Sequence, residues 1–278
     1  MTHYGSMGTP GAVPWRELDT IFFDAGNTFL SMDFDRVAEV AADLGLACSG
    51  SQLERAEAAA RPALSAALAE GRSTEGGSAF RFYLQAILAG LPAGCADGVE
   101  LEEMATALAE GLFVPGRNDL LWNRRLPGRK EALERIRSLG YRMVVVSNSD
   151  GSMRRNVESI GLAQLFDGLI DSSVVGFEKP DPRIFRAALK TVGADPERTV
   201  HVGDLYAADV VGARAAGLHA VLLDPWDDWP PVDCPKVADL AEMAALLPGP
   251  RPRDVSSTAR RRPGPGAGRR RSRRRPGP

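Results

Sequence analysis

Five short apolar runs punctuate the chain, and each stops on a polar or acidic residue or a glycine. They cover residues 21–23 before Asp24, 143–146 before Ser147, 168–170 before Asp171, 199–202 before Gly203 and Asp204, and 220–223 before Asp224. Such runs are too short for helices and fit buried strands. Helical patterns lie between them: 127–139, with Leu133, Ile136 and Leu139 on one face and a stop at Gly140, then 152–160, 182–191 and 208–216. Strand and helix alternate, which predicts an α/β fold with a doubly wound parallel sheet of Rossmann-like type. Ligands of such sheets bind at the carboxyl ends of the strands, where this chain places its Asp, Ser and Gly residues.

Residues 31–119 break the alternation with helix after helix and no strand. Val37, Val40, Ala41 and Leu44 share a face that ends at Gly45, Ser51 and Glu54 form a capping box, and Phe80, Leu84, Ile87 and Leu88 make another stripe, as do Met104, Leu108 and Leu112. These stripes read as the core of a helical cap inserted after the first strand. The expected division is a loose lead-in at 1–17, a Rossmann-like core at 18–30 and 120–248, a helical cap at 31–119, and an Arg/Gly/Pro-rich disordered tail at 249–278.

The formal net charge of -2 is a cancellation. Residues 249–278 hold 11 Arg and one Asp, a balance of +10, and the preceding 248 residues carry -12. An acidic body has no general attraction for nucleic acid or anionic lipid, so phosphate must be held by a local site. Nucleic acid is left only the tail, which lacks aromatic residues for base stacking, in a chain that uses 30 Arg against four Lys. No apolar run approaches the ~18–20 residues of a membrane span, and residues 1–13 lack a signal-peptide core, so a cytoplasmic protein is expected. Cys48, Cys95 and Cys234 are odd in number and widely spaced, which argues against a disulfide framework or zinc site. His3, His201 and His219 read as core or surface residues, and no glycine-rich nucleotide motif is present.

Four signals remain, in order at strand ends: Asp24-Ala25-Gly26-Asn27-Thr28, Ser147-Asn148, Glu178-Lys179-Pro180-Asp181-Pro182, and Gly203-Asp204 followed by Asp209. Over about residues 18–248 this pattern resembles the haloacid dehalogenase-like superfamily, in its branch with a helical cap after the first strand. A carboxylate on a buried strand end can attack phosphorus in line and form an acyl phosphate, which suits Asp24. The Asp204 and Asp209 cluster supplies oxygen ligands for a hard divalent cation, for which Mg²⁺ fits best. The resemblance implies that Asp24, the carbonyl of Gly26 and Asp204 hold the ion, with Asp209 ordering the loop or a metal-bound water. Thr28, Ser147 and Asn148 would hold phosphoryl oxygens, and Lys179 would neutralise the nucleophile and the transferring group.

Phosphatases of this family carry a second Asp two residues after the nucleophile, as acid and then base; here that position is Gly26. Three readings follow. The first is a phosphatase of a small phosphorylated metabolite whose leaving group needs little protonation, or which borrows an acid from Asp150 or the cap. The second is a dehalogenase or phosphonate hydrolase, disfavoured because Asp204 and Asp209 are both present and residues 31–119 contain no lysine. The third is a phospholigand- or protein-binding module without turnover. Substrate selection falls to the cap, where Arg72 and Arg81 are candidates together with nearby Arg117.

Overall fold

The computed structural model of the protein describes residues 12–249, so the Arg-rich segment from residue 250, His3 and most of the lead-in lie outside the described residues. The strands are β1 (Thr20–Phe23), β2 (Leu30–Met32), β3 (Trp122–Arg125), β4 (Arg142–Ser147), β5 (Gly168–Asp171), β6 (Thr199–Gly203), β7 (His219–Leu223) and β8 (Lys236–Val237). The helices are α1 (Phe34–Asp43), α2 (Gly50–Ala69), α3 (Gly77–Ala89), α4 (Leu101–Leu112), α5 (Arg129–Ser138), α6 (Met153–Ser159), α7 (Ser172–Val175), α8 (Pro182–Val192), α9 (Gly212–Ala215) and α10 (Leu240–Leu246).

Six strands form one sheet in the order β5-β4-β1-β6-β7-β8, with every pairing parallel. The chain winds outward from β1 through β4 to β5, then crosses to β6 on the other side of β1. The strand order reverses there, and the carboxyl end of β1 opens into the crevice that such sheets use for ligands. Because successive side chains point to opposite faces, Ile21 and Phe23 pack with Leu133 and Ile136 of α5, Val157 of α6 and Met243 of α10. Phe22 faces the other way, into a core with Phe185 and Ala188 of α8 and Ala213 of α9. Burial on both faces explains why these strands are continuous apolar runs.

Helices α1 to α4 make an insert with a core of its own, built from residues such as Val37, Leu53, Leu84, Ile87 and Leu108. The sequence reading places no strand between 31 and 119, but β2 occupies Leu30–Met32 and pairs antiparallel with β3, so a two-stranded ribbon carries the chain into and out of the insert. Three residues whose partner lies some 90 positions on show no local periodicity. The capping box forms two residues earlier than expected: Ser49 caps α2 and pairs reciprocally with Gln52, in place of Ser51 and Glu54. Leu44 is exposed rather than part of the α1 stripe, and the expected helix at 208–216 is a π-helical turn over Tyr206–Val211 that continues into α9. Among the described residues no helix is long and apolar enough to cross a membrane.

Candidate active site

Asp24 leaves β1 with its backbone N–H held by Val202 on β6. Its Oδ1 accepts a hydrogen bond from Nζ of Lys179 at 2.5 Å, and the same ammonium donates to Oδ1 of Asp209 at 2.7 Å. All three side chains are buried. Lys179 is presented by a loop that ends where Asp181 caps α8 and Pro182 takes its first turn, as that dipeptide predicts. His201 on β6 donates from Nε2 to Asp209 Oδ1 at 2.9 Å, and the Leu205 amide donates to Asp209 Oδ2 at 2.9 Å. Gly203 makes this approach feasible, because a Cβ there would lie 2.2 Å from Asp209 Cγ.

The two carboxylates that share Lys179 are pushed apart. Asp209, with the ammonium and the His201 N–H against it, stays ionised well below the usual range despite its burial. Asp24 is raised to about 6 because burial outweighs the pull of Lys179. Burial lowers His201, which is therefore neutral and acts as a hydrogen-bond donor. Lys179 is held firmly charged by its two carboxylate partners against its own burial.

Asp204 is raised to about 8 by burial, opposed chiefly by Arg61. Arg61 and Glu57 come from α2 in the insert. Arg61 pairs with Glu57 at 2.7 Å and reaches Asp204 Oδ2 at 3.2 Å, while Asn27 Nδ2 donates to Glu57 at 2.9 Å and to Asp204 at 3.3 Å. Asn27 adopts the left-handed region at φ 53°, which Asn tolerates better than most residues. The buried carboxylates of Asp24 and Asp204, together with the Gly26 carbonyl, form an oxygen-only donor set of the kind that suits a small hard cation retaining several waters. Among the described residues no three His, Cys, Asp or Glu side chains cluster into a metal site, so carbonyl and water would have to complete the shell.

Asp24, Asn27, Glu57, Lys179, Asp204 and Asp209 line a cavity of about 360 Å³ together with Ser147 and Asn148. The other strand-end carboxylates stay local. Asp171 caps α7, and Asp224 accepts from Asp228 N, Trp229 N and Lys236 Nζ. Three of the expected site residues have their polar groups placed as follows. Asp209 has both oxygens engaged by Lys179, His201 and the Leu205 amide, contacts that fit the loop-ordering half of its expected role. The Asn148 amide is consumed in stitching loops: Nδ2 donates to Thr74 Oγ1 and the Lys179 carbonyl, and Oδ1 accepts from Lys179 N. Thr28 is fully buried outside the cavity lining, and its hydroxyl has no hydrogen-bond partner among the described residues.

The residue-26 position has a steric explanation. A Cβ on Gly26 would lie 3.2 Å from Cζ3 of Trp122, the first residue of β3, so a side chain there would crowd the indole ring. Asp150 is also committed, accepting from Ser152 N and Oγ and from Asn118 N. Arg117 pairs with Asp119, Arg81 is exposed, and Arg72 lies over Phe82 at the cavity wall, 4.6 Å from the ring centre.

Sequence reasoning missed Glu57, Arg61, Trp122 and Glu75. Glu75 sits in the loop between α2 and α3, docked by Ser73 onto Glu178 and by Thr74 onto Asn148. Burial, then Glu178, Asp150 and Asp171, push its carboxyl to about 8.

A family model described as haloacid dehalogenase-like hydrolase matches residues 18–217. The human haloacid dehalogenase-like hydrolase domain-containing protein 3 is 34% identical over 154 residues, 54% of this chain and 61% of that protein. Glyceraldehyde 3-phosphate phosphatase of Methanothermobacter thermautotrophicus is 35% identical over 44% of this chain and 55% of its own length. Phosphoserine phosphatase of Thermus thermophilus is 37% identical over 44% and 48%. The chain thus spans about half to three-fifths of these curated relatives. The structure of a HAD phosphatase from Thermococcus onnurineus superposes with a TM-score of 0.53 at 23% identity, over 84% of this chain and all of that one. A HAD-hydrolase from Bacillus subtilis gives 0.57 at 20% identity, over 83% and 99%. At these identities the two structures speak to the fold.

Proposed function

Since the chain belongs to the haloacid dehalogenase-like hydrolases, we propose that it is a Mg²⁺-dependent phosphatase of a small phosphorylated substrate, working through an aspartyl-phosphate on Asp24. The observation that carries this reading is the buried trio of Asp24, Lys179 and Asp209 on the cavity floor, one free nucleophile beside an ammonium whose second carboxylate fixes its position. Phosphatase-named relatives support the reaction class.

In the first step a carboxylate oxygen of Asp24 bonds to phosphorus, the ester P–O bond breaks, and its electron pair leaves on the alcohol oxygen. In the second, water bonds to phosphorus, the bond to Asp24 breaks, and the water proton passes to solvent. Lys179 balances charge on the transferring phosphoryl group, Ser147 lines its approach, and Asn148 holds the lysine loop against the insert, which acts as a cap. Asp24, Asp204 and the Gly26 carbonyl would hold Mg²⁺, which when bound screens the carboxylate from the phosphate dianion.

A second reading, a phospholigand-binding module without turnover, is favoured by one contact. Arg61 already neutralises Asp204, which this proposal gives to the metal. Phosphate release from p-nitrophenyl phosphate with and without Mg²⁺ separates the two. The phosphatase reading expects Mg²⁺-stimulated release that Asp24→Asn lowers by about 10³-fold or more. Tight phosphate binding with no release, unchanged in Asp24→Asn, selects the binding module.

A further inference from the structure

Five aromatic side chains share the wall of the cavity with aliphatic and polar residues. Phe80, Phe82 and Tyr83 of α3, Phe113 after α4, and Trp122 of β3 all line it, and none is fully buried, so each keeps surface to offer a ligand. Phe80 stacks on Phe113 with ring centres 5.7 Å apart, and Tyr83 lies against Trp122 at 6.2 Å, so the rings are fixed by one another. The polar side chains on the same walls include Glu57, Glu75 and Asp150. These carboxyl groups offer no cation to a second anionic group on a substrate, and among the described residues the one arginine on the lining, Arg72, rests on Phe82.

The second observation is independent of the first. Residue 26 is a glycine, with the indole of Trp122 3.2 Å from where its Cβ would stand, so that position supplies no carboxyl to the departing oxygen. An ester without such help leaves at a useful rate only if its oxygen carries negative charge well, as a phenolic or enolic oxygen does and an aliphatic one does not.

Resting on the phosphatase reading, we infer that the substrate class is an aryl phosphate, the phosphomonoester of an aromatic hydroxyl without further negative charge. The ring packs among the five aromatic side chains, with Trp122 as the wall that lies beside the acid-free position 26. The departing aryloxide takes the electron pair of the P–O bond and is protonated by solvent; the water that later hydrolyses the aspartyl-phosphate releases the matching proton.

The test measures kcat/KM, which reports the leaving-group step, for phenyl phosphate, for a fluorinated alkyl phosphate of matched leaving-group acidity, and for glycerol phosphate. Phenyl phosphate should exceed the matched fluoroalkyl ester on the order of 10-fold, and the fluoroalkyl ester should exceed glycerol phosphate by about 10²-fold or more. The first ratio should shrink in Phe82→Leu and Phe113→Leu, a comparison within each variant that a general loss of folded protein does not move. Equal rates for the phenyl and fluoroalkyl esters overturn the aromatic assignment. Glycerol phosphate turned over as fast as phenyl phosphate overturns the leaving-group argument and points to an acid on the cap, Glu75 first. If no ester is hydrolysed, the phosphatase reading fails by itself, and calorimetric binding of phenylphosphonate against propylphosphonate still decides: tighter phenylphosphonate supports an aryl site, equal affinity overturns it.

Discussion

Glu75 reaches the cavity from the loop between α2 and α3, where Glu178, Asp150 and Asp171 face it and Lys179 is the opposing cation. With its carboxyl raised to about 8, it presents a neutral wall to an entering phosphate dianion at neutral pH and a charged one above. Its folded-state value lies above the ~4.3 of a free glutamate, so the protonated form is the one the fold favours. The stability it contributes is complete below about pH 4 and is lost as pH rises through 8. Gln mimics the protonated form at every pH. The Tm of Glu75→Gln relative to the natural chain should therefore climb between pH 5 and pH 9. The kcat/KM of the natural chain should fall as pH passes 8, a limb that the variant lacks. A shared alkaline limb would assign that titration to another group.

At the scale of elements, α2 joins the insert to the catalytic edge. Glu57, Arg61 and Ser65 recur every four residues, on one face of the helix. They meet Asn27, Asp204 and the amide of Ala207, and Arg55 adds a paired contact to Asp228. In the sequence this row is indistinguishable from a solvated charged face on an Ala-rich helix, because its partners sit on core loops far away in the chain. The same holds for Trp122, which gains meaning only when the β2–β3 ribbon folds it over Gly26. Removing the guanidinium in Arg61→Met leaves Glu57 and Asp204 buried without their cation, which should cost about 3–5 kcal/mol in urea unfolding with chelator present. If Arg61 competes with the metal for Asp204, added Mg²⁺ should raise the Tm of the variant more than that of the natural chain. Equal Mg²⁺ shifts would mean that the guanidinium and the ion do not share the carboxylate.

Over the whole molecule, legibility follows burial and range. β1, β4, β6 and β7 are readable because both faces are covered, and the edge strand β5 because its last residues are buried, which turns each into an apolar run with a polar stop; β2 and β8 are not, since one is three residues in a ribbon and the other two residues at the sheet edge. Asp24, Ser147 and Asp204 at strand ends and Lys179 in the loop before α8 all line the cavity, whereas Thr28 lies outside the lining and the Asn148 amide is engaged by neighbouring loops. Charge is the property that no single element carries. The body at 1–248 holds -12 and residues 249–278 hold +10, while the proposed substrate is a dianion. The described fold ends with Leu240 and Met243 of α10 and the following Leu247 all buried, so the core closes without the Arg-rich segment. Deleting residues 250–278 should leave Tm unchanged and kcat/KM within about twofold at physiological ionic strength, where charges more than ~8 Å apart are largely screened. At low salt the same comparison tests steering, because long-range attraction of an anionic substrate is a rate effect that ionic strength suppresses. A deletion that lowers kcat/KM only at low salt makes the segment an electrostatic collector for the site. A loss that persists at high salt makes it part of the site itself.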